Sequence, residues 1–122
     1  MERNLLMDGF HDAEIYGLNI NKEKGRFELF IVNSNNNNII LYFENPVFWE
    51  FNFLSLQNSV YEITIFDKDE IPEFIIQEYK ELIPFKNNDY YDNYKLVYIS
   101  PSTGLEGVIL FKSFNLLYKE FN

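Results

Sequence analysis

Residues 14–33 read EIYGLNINKEKGRFELFIVN, and this stretch predicts the fold class. Tyr16, Leu18 and Ile20 alternate with small or polar residues, which is typical of a strand with one buried face. Residues 22–25 form a polar turn that ends in glycine and suits a hairpin. Residues 26–33 follow as a second strand. Because both of its faces are apolar, we expect this strand in the middle of a sheet.

Four further segments predict strands by their alternation and β-branched content: residues 39–44, 60–66, 94–100 and 105–114. The asparagine run at 33–38 separates the second strand from the third, since asparagine favours turns. Residues 47–56 are rich in aromatic side chains but have no clear period. We interpret them as an irregular segment or a short edge strand.

One segment has the spacing of a helix. Its apolar stripe recurs every three or four residues, at Ile71, Phe74, Ile75, Tyr79, Leu82 and Ile83. Pro72 suits a first helical turn, and Pro84 is expected to end the helix. The sequence therefore predicts an α+β domain over residues 1–122, with a mainly antiparallel sheet of about six strands and one main helix, about 70–83, packed on one face.

The composition is typical of one soluble domain with its own core. Apolar residues make up 47% of the chain, with 13 Phe and 9 Tyr, and there is no cysteine. Disulfides and thiolate zinc sites are therefore excluded. We find no apolar run of signal-peptide or membrane-spanning length and expect the chain in the cytoplasm.

The charge is strongly negative and unevenly placed. Nineteen acidic residues face ten basic ones, for a net charge of −9, and no Lys or Arg occurs between Arg26 and Lys68. This balance argues against nucleic acid and anionic membranes as partners, because both are bound through basic residues. It leaves two interpretations: a charge that keeps the chain soluble, or a surface complementary to a basic protein.

No catalytic set is complete. His11-Asp12 resembles a metal-binding pair, but it contains the single histidine of the chain, and we interpret it as a turn-capping pair. The serines have no nearby base and no G-x-S-x-G turn, and no glycine-rich phosphate loop occurs. We therefore expect a protein that is not an enzyme and needs no metal or cofactor. Catalysis by paired carboxylates alone stays open.

Two segments are candidates for recognition. In residues 47–56, aromatic rings lie beside an acid and would serve either as core or as interface; in residues 87–93, tyrosines flanked by aspartates suit a binding loop or a solvated one. A third candidate is the acidic segment 67–70, which directly follows the strand at 60–66. The predicted partner-binding residues are Trp49, Glu50, Asp67, Asp69, Glu70, Glu73, Asp89, Tyr90, Tyr91 and Asp92.

Three stretches carry a family resemblance: FHDAEI at 10–15, YKLVYIS at 94–100 and TGLEGVI at 103–109. With their order, the chain resembles the small bacterial immunity proteins encoded beside polymorphic or contact-dependent toxins. The likeness covers most of the chain, through short motifs. It implies a protein that binds and neutralises a cognate toxin without catalysis, and it transfers no binding residue.

The charge agrees with this implication. A nuclease toxin has a basic substrate cleft, and an acidic inhibitor would be steered into it. We therefore expect a cognate toxin, such as a basic nuclease domain, as the partner. The alternatives are a structural module that forms a homodimer through a sheet edge, and a small-molecule-binding domain with a deep pocket.

Overall fold

The computed structural model describes residues 4–6 and 10–119, which form nine strands and a short helical layer. Every pairing between strands is antiparallel. The strands are β1 (Asn4–Leu6), β2 (Glu14–Asn21), β3 (Arg26–Val32), β4 (Asn38–Glu44), β5 (Phe48–Asn52), β6 (Ser59–Asp67), β7 (Lys95–Thr103), β8 (Glu106–Phe111) and β9 (Ser113–Lys119).

The strand order is β5-β8-β7-β6-β2-β3-β4-β9, with β1 paired to β6 beside this path. Lys112 alone separates β8 from β9, yet β8 pairs with β5 and β9 pairs with β4. The sheet therefore bends at Lys112, whose backbone N–H donates to the Glu44 carbonyl over 3.0 Å. This bend lays one half of the sheet, β2-β3-β4-β9, against the other half, β5-β8-β7-β6.

The main core fills the space between the two halves. Alternate residues of β3 and β4 point into it, and their aromatic rings meet rings from the opposite half. Phe43 lies 4.9 Å from Phe111, and Phe27 lies 5.4 Å from Phe51, centroid to centroid. Such ring pairs stabilise a core beyond the area they bury.

A second core lies on the outer face of β6, β7 and β8, where the helical layer packs. Its buried members include Ile75, Tyr79 and Leu82 from the layer and Leu96 and Leu110 from the strands. The layer consists of α1 (Glu73–Glu78), α2 (Ile83–Lys86) and single 3-10 turns at Lys68–Glu70, Lys80–Leu82 and Asp89–Tyr91. None of the helices among the described residues has the length and apolarity needed to cross a membrane.

The prediction of about six strands with one main helix over 70–83 is wrong. Within residues 4–6 and 10–119 the sheet has nine strands, and the longest helix has six residues. The helix breaks at Tyr79, which has φ −121° and ψ 73°, because its side chain is fully buried against the strands. Pro84 lies in the first turn of α2 instead of ending a helix. Tertiary packing therefore outweighs the helical period of this segment.

Two strand predictions also need correction. The segment 105–114 bends at Lys112 and becomes two strands. In β2 a bulge between Ile15 and Gly17 places Tyr16 on the outer face beside Phe30, whereas Leu18 and Ile20 face inward with Leu29 and Phe27. A bulge inserts one residue and shifts the alternation, which periodicity alone does not reveal.

Candidate functional site

The end of β6 carries a group of acidic side chains. Asp67 closes the strand, and the following 3-10 turn presents Asp69 and Glu70. The loop after α2 returns beside them and places Asp92 on the same cavity, with Asp89 in the 3-10 turn that precedes it. These residues, together with Tyr90 and Tyr91, form what we call the acidic ridge. It brings together seven of the ten predicted partner-binding residues.

A buried lysine holds the ridge together. Lys68 is 2% exposed, and its Nζ donates to the Asn88 carbonyl over 3.0 Å and to Asp92 Oδ1 over 2.7 Å. The bond ties the loop after α2 to the end of β6. Since a buried charge must be paired, Asp92 compensates the charge of Lys68, although its own side chain is 55% exposed.

The ridge surrounds an open cavity of about 360 Å³ lined by Asp67, Asp69, Glu70 and Asp92 with Asn93, Tyr94 and Lys95. Lys95 Nζ lies 2.5 Å from Asp67 Oδ1, so two lysines compensate two of the carboxylates. Asp69, Glu70 and Asp89 are exposed and carry the surplus negative charge.

Tyrosine rings pack beside these carboxylates. Tyr91 contacts Phe85, Tyr90 and Tyr94 with centroid distances near 5 Å, and Tyr90 is 78% exposed. Burial and the two neighbouring phenols raise the pKa of Tyr94. The arrangement offers a rigid aromatic surface with carboxylates at its margin, which suits pairing with Lys or Arg side chains of a protein.

The structure places the other three predicted residues elsewhere. Trp49 and Glu50 lie on β5, where Trp49 packs 5.5 Å from Phe27 and Glu50 pairs with Val108 on the helix side. Glu73 is exposed at the first residue of α1. The ten predicted residues therefore do not form one surface.

A second exposed surface lies at the end of the candidate recognition segment 47–56, although none of its residues was among the ten predicted partner-binding residues. The segment between β5 and β6 presents Phe53, Leu54 and Leu56 to solvent, with Leu56 fully exposed. Leu18 and Ile20 of β2 are also 38% and 46% exposed, although they lie on the inner face. One feature of the sequence could have indicated this surface: residues 51–61 carry no charge, which is unusual for an exposed segment.

One buried side chain shapes this surface. Asn58 Oδ1 accepts hydrogen bonds from the backbone N–H groups of Ser55 and Leu105, and its Nδ2 donates to the carbonyls of Ser55 and Ile15. Gly104, with φ +85°, lies against it so closely that a Cβ would fall 2.5 Å from Asn58 Oδ1. These contacts fix the backbone of the segment, and its two leucines, Leu54 and Leu56, point to solvent.

A tyrosine–glutamate cluster lies under the helical layer. The Tyr98 hydroxyl donates to Glu106 Oε2 over 2.7 Å. Burial, followed by the charge of Glu106, raises the pKa of Tyr79 to about 12, and burial with the Glu106 bond raises the pKa of Tyr98 further. Both phenols therefore stay protonated at neutral pH and do not serve as bases there.

His11 and Asp12 lie on the exposed turn before β2, with Nδ1 and Oδ2 3.2 Å apart. Asp12 has φ +67°, a conformation that aspartate tolerates in turns. Within residues 4–6 and 10–119, no group of three or more His, Asp or Glu side chains has the arrangement of a metal site.

Comparison with known proteins adds a fold relationship. No protein-family profile matches the sequence, and no curated protein matches it. The structure is similar to the crystal structure of an uncharacterized protein from Neisseria gonorrhoeae, with a TM-score of 0.61 and 14% identity over 94% of this chain and 97% of that chain. At this identity the likeness shows a shared fold over nearly the whole of both chains.

Proposed function

We propose that this chain is a non-enzymatic binding protein of the immunity type, which neutralises a cognate bacterial toxin by covering a basic surface of it. The observation that carries the proposal is the convergence of four carboxylates, Asp67, Asp69, Glu70 and Asp92, around one cavity, with Asp89 and the exposed Tyr90 on the adjoining 3-10 turn. The sequence resemblance to immunity proteins supplies the toxin as the partner.

Two physical features of the acidic ridge support this role. Its surplus carboxylates give a local negative field that accelerates association with a basic surface. The buried Lys68 fixes the loop that carries Tyr90 and Asp92, so little side-chain and loop entropy is lost when a partner docks. A nuclease domain, whose substrate cleft binds phosphates through Lys and Arg, fits both features.

The test uses the toxin domain encoded beside this gene and measures association rate and affinity at increasing salt. We expect the association rate to fall steeply as salt rises, because the Debye length shrinks from about 10 Å at 0.1 M to about 3 Å at 1 M. Glu70→Lys should weaken binding by about tenfold or more. Glu23→Lys makes the same charge change at an exposed position of the β2–β3 hairpin and is the matched control.

Three outcomes would overturn the proposal: no complex, a complex whose association rate ignores salt, or equal effects of Glu70→Lys and Glu23→Lys. Circular dichroism of both variants excludes unfolding as the cause of a loss. Protection of the cell from the toxin by wild-type protein, and its loss with Glu70→Lys, gives an independent functional measurement.

A further inference from the structure

Two cavities lie along β2, and the first of them is at the opposite end of β6 from the acidic ridge. One cavity of about 410 Å³ lies between residues 15–18 and the segment 54–58. A second, of about 250 Å³, continues past Ile20 and Asn21 to Trp49 and Pro46. β2 contributes to the lining of both cavities, which follow one another along the strand, and we call the two together the β2 groove. Five strand residues span about 13 Å at 3.3 Å per residue.

The backbone of β2 is available along this groove. Beyond Glu14, which pairs with Ser59, β2 has a strand partner on the β3 side alone within the described part of the chain. Residues 17–21 read GLNIN and carry no charge. Natural sheets guard their edges with lysine, proline or a covering segment, so an uncharged open edge beside apolar side chains favours the addition of a strand.

The opposite wall is apolar and preorganised. Leu54 and Leu56 stand out from a segment that the four hydrogen bonds of Asn58 hold in place. Phe53 starts this segment at φ +64°, a strained conformation for an aromatic residue. A wall held in this way loses little entropy on binding, which increases affinity for an occupant of matching shape.

The charges of the groove differ from those of the molecule as a whole. No carboxylate lines either cavity, whereas Lys22 and Arg26 line the end near Asn21. Arg26 is already occupied, since its Nε donates to Glu28 over 2.9 Å and its guanidinium lies 3.8 Å above the Tyr42 ring. Lys22 is exposed and makes no ion pair with any residue in the described ranges.

We propose that the β2 groove binds an extended, apolar segment of a partner protein, which adds as a strand to residues 17–21 and places a carboxylate against Lys22. Main-chain bonds to the β2 edge would supply affinity, and alternate apolar side chains would contact Leu18, Ile20 and Leu56. A second copy of this chain is disfavoured as occupant, because two molecules of charge −9 repel each other.

The experiment selects ligands from a random linear peptide library displayed on phage and titrates the synthesised winners into the full chain. Trp49 is the sole tryptophan and borders the groove, so its fluorescence reports occupancy. We expect winners with apolar residues at alternate positions and Asp or Glu at one end. Amide shifts in NMR spectra should be confined to residues 15–22, 49 and 54–58.

Matched variants separate the contributions. Lys22→Glu should lower the affinity for the selected peptide by about three- to tenfold. Lys24→Glu, on the same hairpin but outside the lining of the groove, should leave that affinity unchanged. Leu56→Asp should abolish binding, and Phe74→Asp, another exposed apolar position, should not.

The proposal is wrong if selection on the wild-type chain enriches no peptide beyond those enriched on the Lys22→Glu/Leu56→Asp double variant. It is also wrong if the selected peptides bind these variants as tightly as they bind wild type. It is equally wrong if sedimentation shows a dimer that protects the β2 amides from exchange, because the occupant is then a second copy. None of these results bears on the acidic ridge, since the two ends of β6 lie about 26 Å apart.

Discussion

The two ends of β6 present opposite surfaces, and each is held by a buried side chain of the opposite character. At Asp67 the surface is acidic, and the buried cation of Lys68 fixes it. At Ser59 the surface is apolar, and the buried amide of Asn58 fixes it. The two contrasting surfaces therefore share one kind of support, a buried polar side chain whose hydrogen bonds join the exposed segment to the sheet.

The largest effect is expected from Gly104→Ala, which tests the support of the apolar end. The new Cβ would lie 2.5 Å from Asn58 Oδ1 and 2.6 Å from the Gln57 carbonyl oxygen, at φ +85°. We expect a loss of about 3–4 kcal/mol in the free energy of unfolding, measured with urea.

The matched control is Gly25→Ala, at φ +64° with its nearest atom 3.9 Å away. Strain alone should cost about 1 kcal/mol there. If both variants lost the same stability, the close contact with Asn58 would not be what holds the segment.

Asp92→Ala tests the acidic end in the same way. It removes the carboxylate 2.7 Å from Lys68 Nζ and leaves a buried cation with the Asn88 carbonyl. Because Asp92 is itself half exposed, we expect a moderate loss of about 1–2 kcal/mol by urea unfolding.

Asp69→Ala serves as its control, since Asp69 is 73% exposed and lies 3.9 Å from the same Nζ. Its effect should stay below about 0.5 kcal/mol. A larger loss from Asp69→Ala than from Asp92→Ala would reverse our assignment of the supporting carboxylate.

A smaller effect should appear as a pH dependence at Glu28, which lies away from both ends of β6. Burial alone would raise its pKa, but hydrogen bonds from Asn19, Arg26 and Asn21 and the charge of Arg26 outweigh it, so the pKa is lowered from 4.5. A lowered pKa in the folded state adds stability above the unfolded pKa. That stability is lost as the pH falls through the folded value.

Urea midpoints measured from pH 7 down through about 3 check this dependence. Below about pH 4.5 the Glu28→Gln variant should lose less stability than wild type, relative to each protein at neutral pH. Glu23→Gln makes the same change on the exposed hairpin turn and is the control. If stability fell with pH in the same way for wild type and Glu28→Gln, the pairing of Glu28 with Arg26 would not contribute to the pH dependence.

The smallest effect on stability is expected from Leu56→Ser. Its side chain is fully exposed, so the change should alter the free energy of unfolding by no more than about 0.5 kcal/mol. Leu41→Ala, in the main core, should cost about 3 kcal/mol in the same assay. A substantial loss from Leu56→Ser would mean that this leucine packs against the fold and is not held out for a partner.

Much of the sheet was predictable from local pattern. β2 spans residues 14–21 as predicted, β3 and β4 each differ from the predicted strand by one residue at one end, and β6 is longer by one residue at both ends. In β3 and β4 the inward-facing residues alternate, from Phe27 to Ile31 and from Ile39 to Phe43, so their period is visible in the sequence. The helix was overpredicted because the packing of Tyr79 against the strands breaks a segment whose period is helical.

The two candidate surfaces also differ in how far local sequence predicts them. The acidic ridge was predicted in seven of its residues because charge clusters are visible in sequence order. Its supporting Lys68 was not predicted, since the burial of a lysine depends on a loop 20 residues away. The β2 groove was not predicted as a surface, because it forms between strand and loop segments that lie far apart in the chain. One residue of its lining, Trp49, was among the predicted partner-binding residues.

Residue order by itself determines strand positions, the uncharged segment after β5 and the acidic segments beside β6, because each is a property of neighbouring residues. The bend at Lys112, the bulge at Tyr16 and the hydrogen bonds of Asn58 arise from contacts between distant segments. Those contacts decide which apolar residues are buried and which stay exposed, since burial depends on the area that other segments cover.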